Sequence, residues 1–288
     1  PEVSVPWAIT PQDYRDLVAR AAGLGMQVIP VIPLLGHAAY ILKSDKHKHL
    51  GEIQEGVRRV LQVSPNFQLC PTHPGTLRLA ADLIGEWSVL TEAPWIHVGG
   101  DEAWHFALCP RCRERAGDLG RGGLLAEYFN RLNAIVKACG KRMMLWQDML
   151  FYYPDALARL DRDIVICDWH YKPVERHPEI AIYHHRKVPF SRLLEEAGFE
   201  VVQCPKAKYD YETESRNCQT TLEYNRGRRV SGFLNTTWCM ADIPFYSCLP
   251  SLAYGARAAA AGRGIDPGRF LEDFARQHYA AGAELLPL

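Results

Sequence analysis

The sequence predicts an α/β fold assembled from repeated βα units, and three observations carry that expectation. Short β-rich apolar runs alternate with amphipathic helical stretches along most of the chain, the pattern of a parallel sheet covered by helices. Six such units are present, two short of a (β/α)8 TIM barrel, whose usual size is about 250 residues. Residues able to do chemistry gather at the C-terminal ends of the expected strands, where a barrel keeps its active site: His37, Asp101, Glu102, Asp148, Asp168, Tyr209 and Trp238. A doubly wound open sheet could be built from the same units. No Gly-x-Gly-x-x-Gly turn is present to favour it through a nucleotide site.

In chain order, the apolar runs at 26–33, 94–99, 142–147, 163–168, 199–204 and 230–236 are the expected strands. Helices are expected near 11–24, 52–62, 75–90, 123–139, 154–160, 189–197 and 218–227. The clearest is 123–139, where Leu124, Phe129, Leu132, Ile135 and Val136 recur at helical spacing and Gly140 stops the helix. A final helical region spans 248–280 and carries the alanine run 258–261. With no low-complexity segment and no clear linker, residues 1–288 are expected to form a single domain. The chain begins at Pro1, just before a helix, so an upstream segment is expected to exist.

Composition narrows the classes. A chain of 288 residues with 48% hydrophobic and 23% charged content has the makeup of a globular protein with a substantial core. Its 33 basic and 33 acidic residues cancel, so no whole-molecule field recruits nucleic acid or an anionic membrane, and neither is expected as a partner. The run Arg226-Gly227-Arg228-Arg229 reads as a solvated helix end. Nine cysteines do not form a disulfide framework in a chain this long. Cys167, Cys204 and Cys239 read as small buried hydrophobes, so a reducing, cytoplasmic location is expected. Cys109-Pro110-Arg111-Cys112 is the one spacing suited to zinc or a redox pair. A second pair is missing, and a four-ligand site would need distant partners such as Cys70 or His73. No metal and no cofactor is therefore expected.

The chemically richest stretch is Trp95-Ile96-His97-Val98-Gly99-Gly100-Asp101-Glu102. Ile96 and Val98 give a buried strand, and the two glycines let another group approach the backbone. Adjacent carboxyls at the end of a buried strand are costly unless used. Like charge and partial burial favour a proton on one of them, as a general acid requires.

That string resembles the signature of glycoside hydrolase family 20, the β-N-acetylhexosaminidases. The likeness extends over roughly residues 9–260, through 10–15, 25–30, Gly36-His37, Met144-Leu145-Trp146-Gln147-Asp148, Asp168-Trp169 and Thr237-Trp238. The resemblance implies a (β/α)8 TIM barrel whose first two strands lie upstream of Pro1, making residues 1–288 an N-terminally truncated catalytic barrel domain. It implies an exo-acting retaining hydrolase that releases terminal N-acetylglucosamine or N-acetylgalactosamine from an oligosaccharide by substrate assistance. Glu102 would be general acid/base, and Asp101 would orient the substrate's acetamido group. Trp146, Trp169 and Trp238 would box the acetamido methyl and the ring. Tyr209, with Tyr211 as competitor, would donate to the acetamido carbonyl. Asp148 and Asp210 would bind sugar hydroxyls, His37 would join a network beside Asp101, and Trp104 and His105 would line the aglycone side.

Departures from the family pattern stand at Val31, Pro33 and Met240, and they resemble the hexosaminidase D-like branch. Three other readings stay open at this point. One is a retaining glycosidase with Asp148 or Asp168 as protein nucleophile. A second is a carbohydrate-binding pseudoenzyme with an incomplete barrel. The third is a zinc-binding interaction module.

Overall fold

The structure is a computed structural model that describes residues 3–4, 8–57, 64, 67–174, 190–228, 230–238 and 244–279. It divides into two compact units, Pro1–Ile166 with Ala197–Phe199, and Cys167–Glu196 with Glu200–Leu288.

The first unit runs through α1 (Pro11–Gly23), α2 (Ala39–Leu42), α3 (Pro74–Ser88), β1 (Trp95–His97), α4 (Pro110–Leu119), α5 (Arg121–Ala138), β2 (Arg142–Trp146) and α6 (Asp148–Tyr152). Three of its helices start by one rule. Thr10, His73 and Cys109 each accept a hydrogen bond from the first turn, and a proline follows each. Thr10 adds the reciprocal bond, its amide donating to Asp13 Oδ2 at 2.8 Å. The long helix α5 buries Leu125, Leu132 and Val136 completely and packs against α3, α4 and β2. Strands β1 and β2 pair in parallel, with Ile96 opposite Met143 and His97 opposite Met144.

The expected strand at 26–33 reduces to a single parallel bridge, Val31 to His97. Pro30 and Pro33 flank it, and neither has an N–H to extend a ladder. Even so, Ile32 and Leu34 donate to the carbonyls of His97 and Val98 at 2.8 and 3.0 Å. The backbone is therefore fixed beside β1 up to the Gly36-His37 turn. The expected helix at 52–62 does not form over 52–57, where the Glu52 amide instead donates to Gln68 O at 2.9 Å. Residues 58–62 lie outside the described set. Helix α4, unforeseen in the sequence, follows directly from the Cys109 cap and Pro110.

The second unit takes over within β3 (Val165–His170) and continues with α7 (Phe190–Glu196), β4 (Glu200–Pro205), α8 (Tyr211–Tyr224), β5 (Gly232–Phe233), α9 (Leu249–Ala261) and α10 (Pro267–His278). Strands β4 and β5 are parallel, Val202 facing Gly232. Helix α8 starts at Tyr211 rather than 218 because Asp210 accepts from the Thr213 amide at 3.2 Å and caps it there. The expected helix 248–280 is two helices. Gly262, in the left-handed region at φ 62, ends the first, and an Asp266 cap with Pro267 starts the second. Cys218, Tyr254 and Ala258 form the core that α8 and α9 share, with Phe233 and Phe270 packed against it. Arg229, Cys239 and Met240 lie outside the described residues. Among those described, no helix is long and apolar enough to cross a membrane.

Leu132, fully buried in α5, and Leu24, 74% exposed, provide a stability contrast. Leu132→Ala is expected to cost about 2–5 kcal/mol through lost transfer energy and a residual cavity. Leu24→Ala should stay within about 0.5 kcal/mol. Denaturant melts of the two variants check it.

Candidate active site

The site of the first unit is built where β1 ends. Past Val98 the chain turns through Gly99 and Gly100. A Cβ on Gly100 would sit 2.4 Å from Leu145 Cδ1, and its φ of 98 excludes side-chain residues in any case. On the other side Gly36 passes the Asp101 carbonyl so closely that an added Cβ would lie 2.0 Å from that oxygen. The two glycine turns together bring His37 against Asp101 and Glu102. Among the described residues only His37, Glu102 and Ala107 are non-glycines with positive φ, at 55, 51 and 61. Such backbone is unfavourable and persists where surrounding contacts enforce it.

His37 Nε2 stands 3.2 Å from Asp101 Oδ2 and 3.2 Å from Glu102 Oε2. Its ring is held edge-on to Phe67, centroids 4.6 Å apart. Partial burial alone would lower the imidazole's pKa, but the contacts to the two carboxylates outweigh it and raise it to about 10. His37 is thus a cation at neutral pH, shared by two acids. Of those acids Asp101 has the more buried side chain, 13% exposed against 26% for Glu102.

Asp148, the first residue of α6, lies beneath. Its Oδ2 accepts the Glu102 amide at 2.8 Å, while its Oδ1 is buried without a hydrogen bond. Burial above all, and the nearby charges of Asp101 and Glu102, push its pKa well above the usual carboxylate range. It is completely buried and supports the Glu102 backbone; the sugar-hydroxyl role read from sequence does not fit that position. His97 is buried in β1, its Nδ1 accepting from the Gly99 amide at 2.9 Å and its ring 4.3 Å from that of Trp146. Trp146 is itself buried, its amide donating to Gly99 O at 3.0 Å. Trp104 packs edge-on against Tyr152, whereas His105 is fully buried and so does not line an open cleft.

The remaining sequence candidates belong to the second unit. Asp168 is fully buried in β3; Ser191 Oγ and Gln203 Nε2 donate to its Oδ2, the latter at 3.2 Å. His170 Nε2 stands 2.9 Å from its Oδ1, at ion-pair distance though out of line for a hydrogen bond. Burial would raise the Asp168 pKa, and His170 with these donors turns the net shift downward. Trp169 is buried with its ring 4.8 Å from Tyr171, and Trp238, 46% exposed, donates its indole N–H to Tyr171 Oη at 2.7 Å. Tyr171 joins these two tryptophans and was missed in the sequence, although it stands only two residues past Trp169. Tyr209 is exposed beside Lys208, the ammonium 5.2 Å from its ring. Tyr211 packs on Tyr254 and donates to Pro267 O at 2.7 Å, and Asp210 caps α8, so both are structural.

Residues 3–232 match the sequence profile described as glycosyl hydrolase family 20, catalytic domain. The chain belongs to glycosyl hydrolase family 20. It is 28% identical over 171 residues to a beta-hexosaminidase of Vibrio furnissii, a stretch covering 56% of this chain and 26% of that protein. A beta-hexosaminidase of Porphyromonas gingivalis is 26% identical over 147 residues, covering 49% and 19%. The chain thus matches about a quarter or less of the length of these relatives. Its fold is similar to that of the family 20 exo beta-N-acetylglucosaminidase of Vibrio harveyi solved with N-acetylglucosamine, with a TM-score of 0.66 at 20% identity over 91% of this chain and 43% of that one. It is also similar to the Streptomyces plicatus N-acetyl-beta-hexosaminidase, with a TM-score of 0.58 at 18% identity over 94% and 53%. The α/β architecture with consecutive parallel strands is that of the family 20 TIM barrel.

His37 links the site to pH. Its folded pKa of about 10 lies above the ordinary imidazole value of 6.5, so its stabilising contribution is complete below about 6.5 and is lost as pH rises through about 10. The stability gap between wild type and His37→Gln is expected to be widest near pH 6 and to close towards pH 10. Urea melts across that range measure it; a gap independent of pH removes the charged-imidazole account.

Proposed function

We propose that this chain carries the catalytic apparatus of an exo-acting β-N-acetylhexosaminidase that works by substrate assistance with retention. The observation that carries the reading is the pairing of Asp101 and Glu102 on one imidazolium at the end of β1, in a family 20 domain. Glu102, the more accessible acid, protonates the glycosidic oxygen as the bond to the anomeric carbon breaks. The substrate's acetamido oxygen attacks that carbon, and a water then opens the oxazoline-type intermediate while Glu102 takes its proton. Asp101, deeper in the site, accepts the acetamido N–H and stabilises the positive charge that develops there. His37 holds both carboxylates in place, and Asp148 fixes the Glu102 backbone.

A protein nucleophile is disfavoured by the state of the two remaining candidates. Asp148 is fully buried beneath the Glu102 amide with its pKa pushed up, and Asp168 is fully buried and engaged by Ser191, Gln203 and His170. In the second unit, the assembly of Trp169, Tyr171 and Trp238 supports a sugar-binding role, since aromatic faces cover the apolar side of a pyranose. A cytoplasmic location is supported by eight free thiols among the described residues.

Hydrolysis of an aryl N-acetyl-β-glucosaminide beside its N-trifluoroacetyl counterpart tests the mechanism. A steep fall in rate with fluorination is expected, and equal rates would point to a protein nucleophile. Glu102→Gln should lower turnover of an unactivated disaccharide by about 10²–10⁴-fold, with partial recovery on an activated aryl leaving group. Asp101→Asn should weaken inhibition by a thiazoline analogue of the intermediate by about 10–100-fold, the worth of one charge-assisted hydrogen bond.

A further inference from the structure

Away from the acid pair, the first unit buries a second chemical cluster that hydrolysis does not use. Cys70, Cys109 and Cys112 converge with Glu52, and one ligand atom from each lies within 4.8 Å of all the others. The four side chains come from three separate stretches of chain. Cys70 precedes α3, Cys109 and Cys112 open α4, and Glu52 lies in the turn that replaces the expected helix. Cys70 Sγ is 3.6 Å from Cys109 Sγ and 3.5 Å from Cys112 Sγ, and Cys112 Sγ is 3.1 Å from Glu52 Oε2.

We propose that Glu52, Cys70, Cys109 and Cys112 form a closed, structural zinc site. The spacing fits: tetrahedral zinc with Zn–S of about 2.3 Å places its sulfurs about 3.8 Å apart, within a few tenths of an ångström of those seen. Three thiolates and one carboxylate suit zinc, and four protein ligands leave no open position for a substrate. The two Glu52 oxygens are already assigned separate tasks. Oε1 accepts the amides of Leu108 and Cys109 at 2.7 and 2.8 Å, which leaves Oε2 facing the sulfurs. Such outer bonds orient a ligand for its metal. Donors also surround the sulfurs: the Cys112 amide donates to Cys109 Sγ at 3.4 Å, Thr72 Oγ1 is 3.1 Å from Cys112 Sγ, and Arg111 Nη2 is 4.0 Å from Cys70 Sγ. They oppose the negative charge that four anionic ligands leave around a divalent ion.

Glu52 separates zinc from a simple thiol redox pair. It is 0% exposed, and among the described residues no basic side chain makes an ion pair with it. A buried carboxylate without a cation is strongly disfavoured. A Cys109–Cys112 disulfide would leave Glu52 without a cation and Cys70 outside the bond; a zinc ion engages all four. Sequence alone raised Cys70 as a distant partner for the Cys-x-x-Cys pair but not Glu52, which shares no motif with it. His73, the other partner considered there, is occupied in accepting from the Gly75 amide at 3.0 Å.

The zinc would fasten Glu52, Cys70 and the start of α4 to one another at the end of the loop that leaves Glu102. Elemental analysis of protein purified without chelator, with thiols kept reduced, tests the proposal independently of any hydrolase activity. About one zinc per chain is expected, with a fall in melting temperature on chelation and its recovery when zinc is returned. Cobalt exchanged into the wild-type protein should show thiolate-to-cobalt charge transfer and the d–d bands of a tetrahedral site, a readout that does not depend on a variant folding. Glu52→Gln should retain fewer zinc equivalents under competition with a chelator, and Cys112→Ser fewer still. Folded wild-type protein that holds no zinc and takes none up on titration overturns the site. So does an octahedral cobalt spectrum, or a Cys109–Cys112 disulfide in the reduced preparation.

Discussion

One imidazolium held between two carboxylates is the constraint around which the first unit is arranged. For His37 to lie 3.2 Å from both Asp101 and Glu102, two turns must approach more closely than ordinary side chains allow. Gly36, whose added Cβ would lie 2.0 Å from the Asp101 carbonyl oxygen, permits the approach on one side, and Gly99, whose Cβ would lie 2.9 Å from Pro33 Cα, on the other. The price is backbone strain: His37 and Glu102 both occupy the left-handed region. Hydrogen bonds to the main chain offset it. The carbonyls of His97 and Val98 fix the segment before His37, the Ala38 amide donates to Phe67 O at 2.9 Å, and Asp148 holds the Glu102 amide. A strained turn that is bonded on both sides has little freedom to relax, and a reacting carboxyl needs that fixity.

Three buried carboxyls meet the same problem of desolvation in three different ways. For Asp148 burial first, and then the negative charges of Asp101 and Glu102, drive the pKa upward towards the neutral form. Asp168 has its pKa held below the usual range despite burial, with His170 beside it and Ser191 and Gln203 donating to it. Glu52 has only thiols and two amides, and burial raises its pKa to about 7, further than the hydrogen bonds from Cys109 and Cys112 lower it. The first two solutions are complete within the protein. Around the third, three sulfurs converge with Glu52 so that one ligand atom from each lies within 4.8 Å of the others, and this geometry distinguishes the cysteine cluster from a packed group of small hydrophobes.

Much of the site was legible in the sequence because its central part is contiguous. His-x-Gly-Gly-Asp-Glu places a buried strand, a glycine turn and two acids in eight residues with their flanks, and Gly36-His37 is a two-residue signal of the same kind. The role of Asp148 was not legible, since position is written in the spacing but protonation depends on burial and neighbouring charge. The strand at 26–33 was overestimated: its apolar content suggested a strand, while Pro30 and Pro33 removed the donors a ladder needs. Helix α8 was placed late because hydrophobic period was weighed above the Asp210 cap. Cys70 and Glu52 lie 39 and 57 residues before Cys109, and only the fold brings them to it.

The stretch from Glu102 to Cys109 shows how the two clusters depend on each other. It has no strand ladder and no helix to hold it, and Ala107 adds a third left-handed residue. What fixes it is side-chain bonding from two residues: Gln68 Oε1 takes the His105 amide at 2.8 Å, and Glu52 Oε1 takes those of Leu108 and Cys109. The same Glu52 therefore anchors the loop through one oxygen and faces the three sulfurs with the other. A loop that carries an acid at its start, bonded from outside along its length, is only as well placed as its anchor. Rotation of the Glu52 side chain would release two amides at once and free the path back to Glu102. A cation on Oε2 opposes that rotation directly, so the cysteines act on the geometry of the acid without touching it.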